Sequence, residues 1–142
     1  MTQLRPAHTL SVSIAAPATD VYAFAANPRR LTEWATGLGS APTPLPDGAW
    51  RLETSAGPMR VVFARANEFG VVDHVVTPLS GDGPAVDVPL RVVPNGDGSE
   101  VMITLFQQPG MLDAQYAADA ALVQADLARL KHAIEHELHS VP

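Results

Sequence analysis

His74 is the side chain with the widest chemical range in this sequence. It sits in the run Val71-Val72-Asp73-His74-Val75-Val76, whose alternation sends it to the same face as Val72 and Val76. An imidazole partly buried among valines is favoured in its neutral form, and neutral imidazole can donate, accept or move a proton near pH 7. Three roles follow: orienting a ligand carbonyl, acting as a general base, or bonding a backbone carbonyl as a core or rim residue. Asp73 points to the other face, within diagonal reach of Arg91, as a solvated surface pair. Trp34 and Tyr116 are amphipathic aromatics, and the Tyr116 hydroxyl could reach a ligand. His132, Glu135 and His136 spell H-x-x-E-H, a zinc-site pattern. Few residues follow to supply a third ligand, so no metal is expected. That stretch, with His139, reads as the solvated end of a helix whose dipole suits positive charge. No P-loop, G-x-G-x-x-G or G-x-S-x-G occurs, and Asn95-Gly96-Asp97-Gly98 is turn chemistry. With no cysteine, disulfides, thiolate metal sites and cysteine nucleophiles are excluded.

These residues must be positioned by the elements around them. Leu10, Val12 and Ile14 alternate with Thr9, Ser11 and Ser13, a half-buried strand. Pro17 suits a helix start, and Val21, Phe24 and Ala25 form its inward stripe. Asn27-Pro28 begins a second short helix running to about Trp34. The Gly/Pro-rich stretch 37–48 has room for a short edge strand near Gly39–Pro42. Pairing Thr54 with Met59 puts Trp50, Leu52, Val61 and Phe63 on one face and sets Glu53 against Arg60. A turn at Asn67-Glu68 pairs Phe63 with Val72 and Val61 with His74. Beyond the loop 78–84, His74 faces Val88 and Val72 faces Leu90. The Asn95–Gly98 hairpin pairs Leu90 with Ile103 and Val88 with Leu105. Asp113 then caps a helix over about 114–139, with Tyr116, Ala120, Val123, Leu127, Leu130 and Ile134 inward. Small side chains dominate the first half of that face and bulky ones the second, the pattern expected if a cavity lies under the first half. The competing reading is that strand residues such as Phe63 fill the space.

Composition narrows the function classes. At 142 residues the sequence reads as one domain, 1–142, with enough length for a core. Nine Lys+Arg against fifteen Asp+Glu argue against nucleic acid or an anionic membrane as partner. No apolar run approaches the roughly 20 residues of a membrane span, and Met1–Thr9 lacks a signal-peptide core, so a cytoplasmic protein is expected.

The element order resembles the START-like superfamily, also called SRPBCC, which includes polyketide cyclase/dehydrases, lipid-transfer START domains and the major birch-pollen allergen. The residues that carry the resemblance are Leu10 to Trp34, with Ala16-Pro17, Asp20-Val21-Tyr22, Asn27-Pro28 and Leu31 to Trp34. The Pro89–Leu105 segment and the terminal helix, with Asp126-Leu127, Leu130-Lys131 and Glu135, complete it. It implies an α+β helix-grip fold: a curved antiparallel sheet of six to seven strands wrapped around a long C-terminal helix, with two short helices after the first strand. It also implies a hydrophobic pocket between sheet and helix. The superfamily has no single catalytic motif to carry over.

The expected function is therefore binding of a small hydrophobic molecule, lipid-like or polyketide-like, without a cofactor. The expected lining is Trp34, Val61, Phe63, Val72, His74, Leu90, Ile103, Leu105, Tyr116 and Ala120, with loops 37–48 and 78–84 moving to admit the ligand. One alternative is a cyclase or dehydratase using His74 as acid/base. Another is a protein-interaction module with a filled core, using the Met102/Phe106 face, which would also serve as a homodimer patch.

Overall fold

The computed structural model describes residues 3–35, 38 and 40–139. Strand β1 (Ala7–Ile14) buries Leu10 and Ile14 and leaves its serines and Thr9 exposed. Helix α1 (Ala18–Ala25) follows Pro17 and buries Val21, Phe24 and Ala25. The second helix expected from sequence is a tighter 3-10 turn, Pro28–Glu33. Its cap is Asn27, whose side chain accepts from the Arg29 amide at 3.1 Å.

Seven further strands follow: β2 (Thr43–Pro44), β3 (Trp50–Thr54), β4 (Gly57–Phe63), β5 (His74–Pro78), β6 (Val86–Val88), β7 (Leu90–Asn95) and β8 (Gly98–Phe106). They hydrogen-bond antiparallel in the orders β2-β3-β4-β5-β6 and β1-β8-β7. Pro89 separates β6 from β7, because a residue without an N–H interrupts the ladder. Backbone bonds knit the two groups across that break: Thr104 N to Pro89 O at 3.0 Å, Val72 N to Leu90 O at 2.9 Å and Val92 N to Gly70 O at 2.8 Å. The two-residue β2 and the break at Pro89 account for eight segments where six to seven were expected.

Several registers differ from expectation. Thr54 pairs with Gly57 through a two-residue turn, so Leu52 meets Met59 and Trp50 meets Val61. Phe63 pairs with His74 and Val61 with Val76. Both are two-residue slips, which keep every side chain on its expected face. They do change the ion pairs. Arg60 lies opposite Arg51 and binds Asp47, while Glu53 binds Arg51, so the expected Glu53–Arg60 pair does not form. The edge strand falls at Thr43–Pro44 rather than near Gly39–Pro42, with Leu38 making one bridge to Thr54. Gly39 lies outside the described residues. His74↔Val88 and Leu90↔Ile103 pair as expected.

Helix α2 (Asp113–His139) lies across the inner face and packs chiefly on β1. Leu127, Leu130 and Ile134 are buried, joining Val21, Phe24, Leu31, Trp34, Leu90, Val92, Val101 and Ile103 in the core. Its C-terminal half is also tied by polar bonds: Lys131 Nζ donates to Ser13 O at 2.8 Å, and Glu135 accepts from the Ala15 amide at 2.8 Å.

Candidate functional site

The two halves of α2 are held differently. From Asp113 to Asp126 no residue is fully buried; Tyr116, Ala120 and Val123 are half-buried. On the inner face of the five-stranded group Val61 is buried, but Leu52, Phe63, His74, Val76, Val86 and Val88 are also only half-buried, as is Leu105 of β8. Phe63, Val88, Leu105, Ala120 and Val123 rest against the edge of the packed core. This is an apolar cleft under the first half of the helix. At its mouth Val86, Val88, Leu105, Phe106, Met111, Tyr116 and Asp119 border a pocket of about 190 Å³.

His74 is the ionisable side chain on the inner face of β5. Its Nδ1 lies 3.0 Å from the carbonyl oxygen of Val72, two residues before it, and its ring tilts against Phe63 with centroids 5.3 Å apart. Burial pushes its pKa below the ordinary histidine value; the Val72 carbonyl and the Asp73 charge oppose that shift without reversing it. Asp73 projects from the opposite face. Arg91 grips it with two bonds, 2.9 and 2.8 Å, and the Leu90 amide donates to it at 2.9 Å. The Arg91 bonds hold its carboxyl below the usual carboxylate range.

Of the expected lining, Leu105 and Tyr116 border the pocket at the mouth, while Phe63, His74 and Ala120 are half-buried on the inner face of the sheet and on the first half of α2. The Tyr116 hydroxyl donates to Leu105 O at 2.7 Å, so it pins the start of α2 to β8. Trp34, Val61, Val72, Leu90 and Ile103 are buried, between 1% and 5% exposed, and make the floor solid. Among the described residues the buried Trp34 indole nitrogen has no hydrogen-bond partner. Val86, Val88, Met111 and Asp119 complete the mouth. Pairing with His74 was enough to place Val88, but Met111 and Asp119 arrive there through the turn before α2.

Elsewhere, His132 and His136 stack on the exposed side of α2 with centroids 5.9 Å apart. Glu135 turns to Lys131 and Ala15 instead. Among the described residues no cluster of three or more His, Cys, Asp or Glu is placed to hold a metal ion. Among the same residues no helix is long and apolar enough to cross a membrane.

No family model matches the sequence, and no curated protein matches it either. Solved structures do resemble it. DynU16, a protein of the dynemicin biosynthetic locus, aligns with a TM-score of 0.68 at 20% identity, over 91% of this chain and 47% of its own. XoxI from Bacillus cereus gives 0.72 at 13%, over 90% and 94%. The di-domain ARO/CYC StfQ of the steffimycin biosynthetic pathway gives 0.71 at 16%, over 93% and 46%. The chain thus spans about half the length of DynU16 and StfQ. Identities this low speak to architecture alone, and with the sheet, the two short helices and the long terminal helix in place they establish it: this chain has the helix-grip fold.

Proposed function

We propose that this protein binds a small, largely apolar molecule in the cleft between the first half of α2 and the inner face of β3–β6 and β8. The observation that carries this reading is the contrast along α2: no buried residue before Leu127, then a packed core from Leu127 to Ile134. A helix that only completed a filled core would bury its face along its whole length. Affinity would come from apolar surface leaving water, about 25 cal/mol per Å², with His74 as the polar group that sets orientation. The bordered pocket, about 190 Å³, is smaller than the roughly 300–1,000 Å³ of a site that encloses a drug-sized ligand. The bound molecule therefore extends along the cleft or displaces the helix slightly.

Binding is favoured over turnover by the polar inventory. A proton-shuttling reaction needs an acid and a base in reach of one another. The bonded partner of His74 is a backbone carbonyl, and the Tyr116 hydroxyl is engaged with Leu105 O. The neighbouring carboxylate, Asp73, faces away, and the carboxylates at the pocket mouth, Asp87 and Asp119, are not bonded to His74.

The test is native mass spectrometry of the purified protein for a retained small molecule, with titration by anilinonaphthalene sulfonate and by a C12 fatty acid. Ala120→Trp places an indole in the cleft from the unburied half of the helix. Saturable binding that this variant abolishes, at near-unchanged stability, is expected. Binding that survives it would refute the cleft as the site.

A further inference from the structure

We propose that His74 is a hydrogen-bond acceptor that selects ligands carrying a hydroxyl group, phenolic or alcoholic, over ligands that offer only a carbonyl. The inference rests on the cleft reading above and adds the polarity of its ligand.

The geometry determines which nitrogen holds the proton. Nδ1 is 3.0 Å from Val72 O. A carbonyl oxygen only accepts, so Nδ1 is the N–H. In the neutral ring Nε2 is then a bare lone pair, able to accept and unable to donate. Burial disfavours the doubly protonated ring that would restore a donor at Nε2. Among the described residues Nε2 has no protein partner. Its surroundings offer none: Phe63 lies against the ring, Val88 is the cross-strand neighbour, and Val76 follows on the same face. The charge that acts on the ring, Asp73, is committed to Arg91 on the outer face.

An acceptor on an apolar wall is costly when water leaves, unless the incoming molecule supplies a donor. A ligand hydroxyl does so. A ligand carbonyl would instead set one lone pair against another and leave both unsatisfied. The polarity is thus opposite to the carbonyl-orienting role expected from sequence, and it makes His74 a specificity-determining residue.

The experiment has two arms. The first reads the tautomer without any ligand: long-range proton–nitrogen correlation spectra of histidine-labelled protein at pH 7, with His74→Phe for assignment. An unprotonated Nε2 and a protonated Nδ1 at His74 are expected, and the reverse pattern overturns the proposal. The second compares dissociation constants of 1-naphthol, 1-methoxynaphthalene and 1-acetylnaphthalene. Wild type should favour 1-naphthol by roughly tenfold, the worth of about one net hydrogen bond, and His74→Phe should bring the three within about twofold. Equal affinities for naphthol and acetylnaphthalene in wild type, with all three still competing in the cleft, overturn the acceptor role and leave the cleft standing. Failure of all three to bind, with no small molecule retained in native spectra, removes the cleft reading and this inference together.

Discussion

Replacing Gly70 by alanine should cost about 3–4 kcal/mol, and the reason lies in the seam that joins the two strand groups. Gly70 has φ +73, and a Cβ built there would sit 1.9 Å from the Val92 carbonyl oxygen. The left-handed backbone alone costs an alanine about 1–2 kcal/mol. The clash is with backbone, so it is relieved only if residues 70–72 and 90–92 separate. Separation breaks the Val71–Arg91 bridge, whose two bonds are Val92 N–Gly70 O and Val72 N–Leu90 O. At about 1 kcal/mol net for each bond, these two bonds and the backbone cost bring the total to that range. Gly96 is the internal control. Its φ is +58 and nothing lies within 4 Å of the Cβ position, so Gly96→Ala carries the backbone cost alone, about 1 kcal/mol. Urea unfolding of both variants, followed by tryptophan fluorescence, gives the two differences directly when the slopes match. If Gly70→Ala were no more destabilising than Gly96→Ala, close approach at the seam would not contribute to the fold and the argument would fail.

Leu127 is 0% exposed, so Leu127→Ala should destabilise by about 2–5 kcal/mol, whereas Val123→Ala, on the unburied half of α2, should cost about 1 kcal/mol or less; similar losses at both sites in denaturant titrations would contradict the divided helix. Stability should also fall on acidification in two limbs. The folded protein holds His74 below its ordinary pKa, so below about pH 6.5 the unfolded chain takes up a proton that the native state resists. Stability therefore declines as pH drops through that value, until the folded pKa is reached, and His74→Phe should flatten this limb. Asp73 is held low by Arg91, so its contribution is present above about pH 4 and lost as pH falls further. With side chains 50% and 35% exposed, that second limb should stay within about 1 kcal/mol. Thermal midpoints between pH 7 and 3 for wild type, His74→Phe and Asp73→Asn separate the two.

The legible and illegible parts of the fold divide by the range of the interactions that set them. Period-two alternation placed Leu10, Ile14, Val61 and His74 on the inner face because burial of one face is a local pattern. The Asn95–Gly98 turn fixed the β7–β8 register because its length leaves no freedom. The Thr54 hairpin was harder: Ser55-Ala56 closes it in two residues, and Gly57, at φ +103, already starts β4. Counting the turn through to Pro58 shifted the partner by two. The 64–73 connection was least legible, since it is held from outside. Tyr22 accepts from the Asn67 amide, the Asn67 side chain closes the loop on Val71, and Gly70 locks onto Val92. In the cleft, small residues at Ala120 and Val123 followed by Leu127 and Leu130 pointed to space under the first half of α2. Which expected lining residues would seal the floor depended on packing by Trp34, Leu31 and α1, which no single stretch of sequence records.

The manner in which α2 is fastened has a mechanical consequence. Its rear is riveted: buried leucines, Lys131 on Ser13 and Glu135 on Ala15. Its front is latched, with Tyr116 on Leu105 O and Asp113 receiving the Gln107 side chain at 2.8 Å. A latch of two hydrogen bonds is worth about 2 kcal/mol, so a raised front is a minor state within ordinary thermal reach, while detaching the rear means unfolding the domain. Under the proposed function that asymmetry would give the cleft a direction: the Tyr116 end would lift first, and an entering molecule would meet a fixed back wall at Leu127.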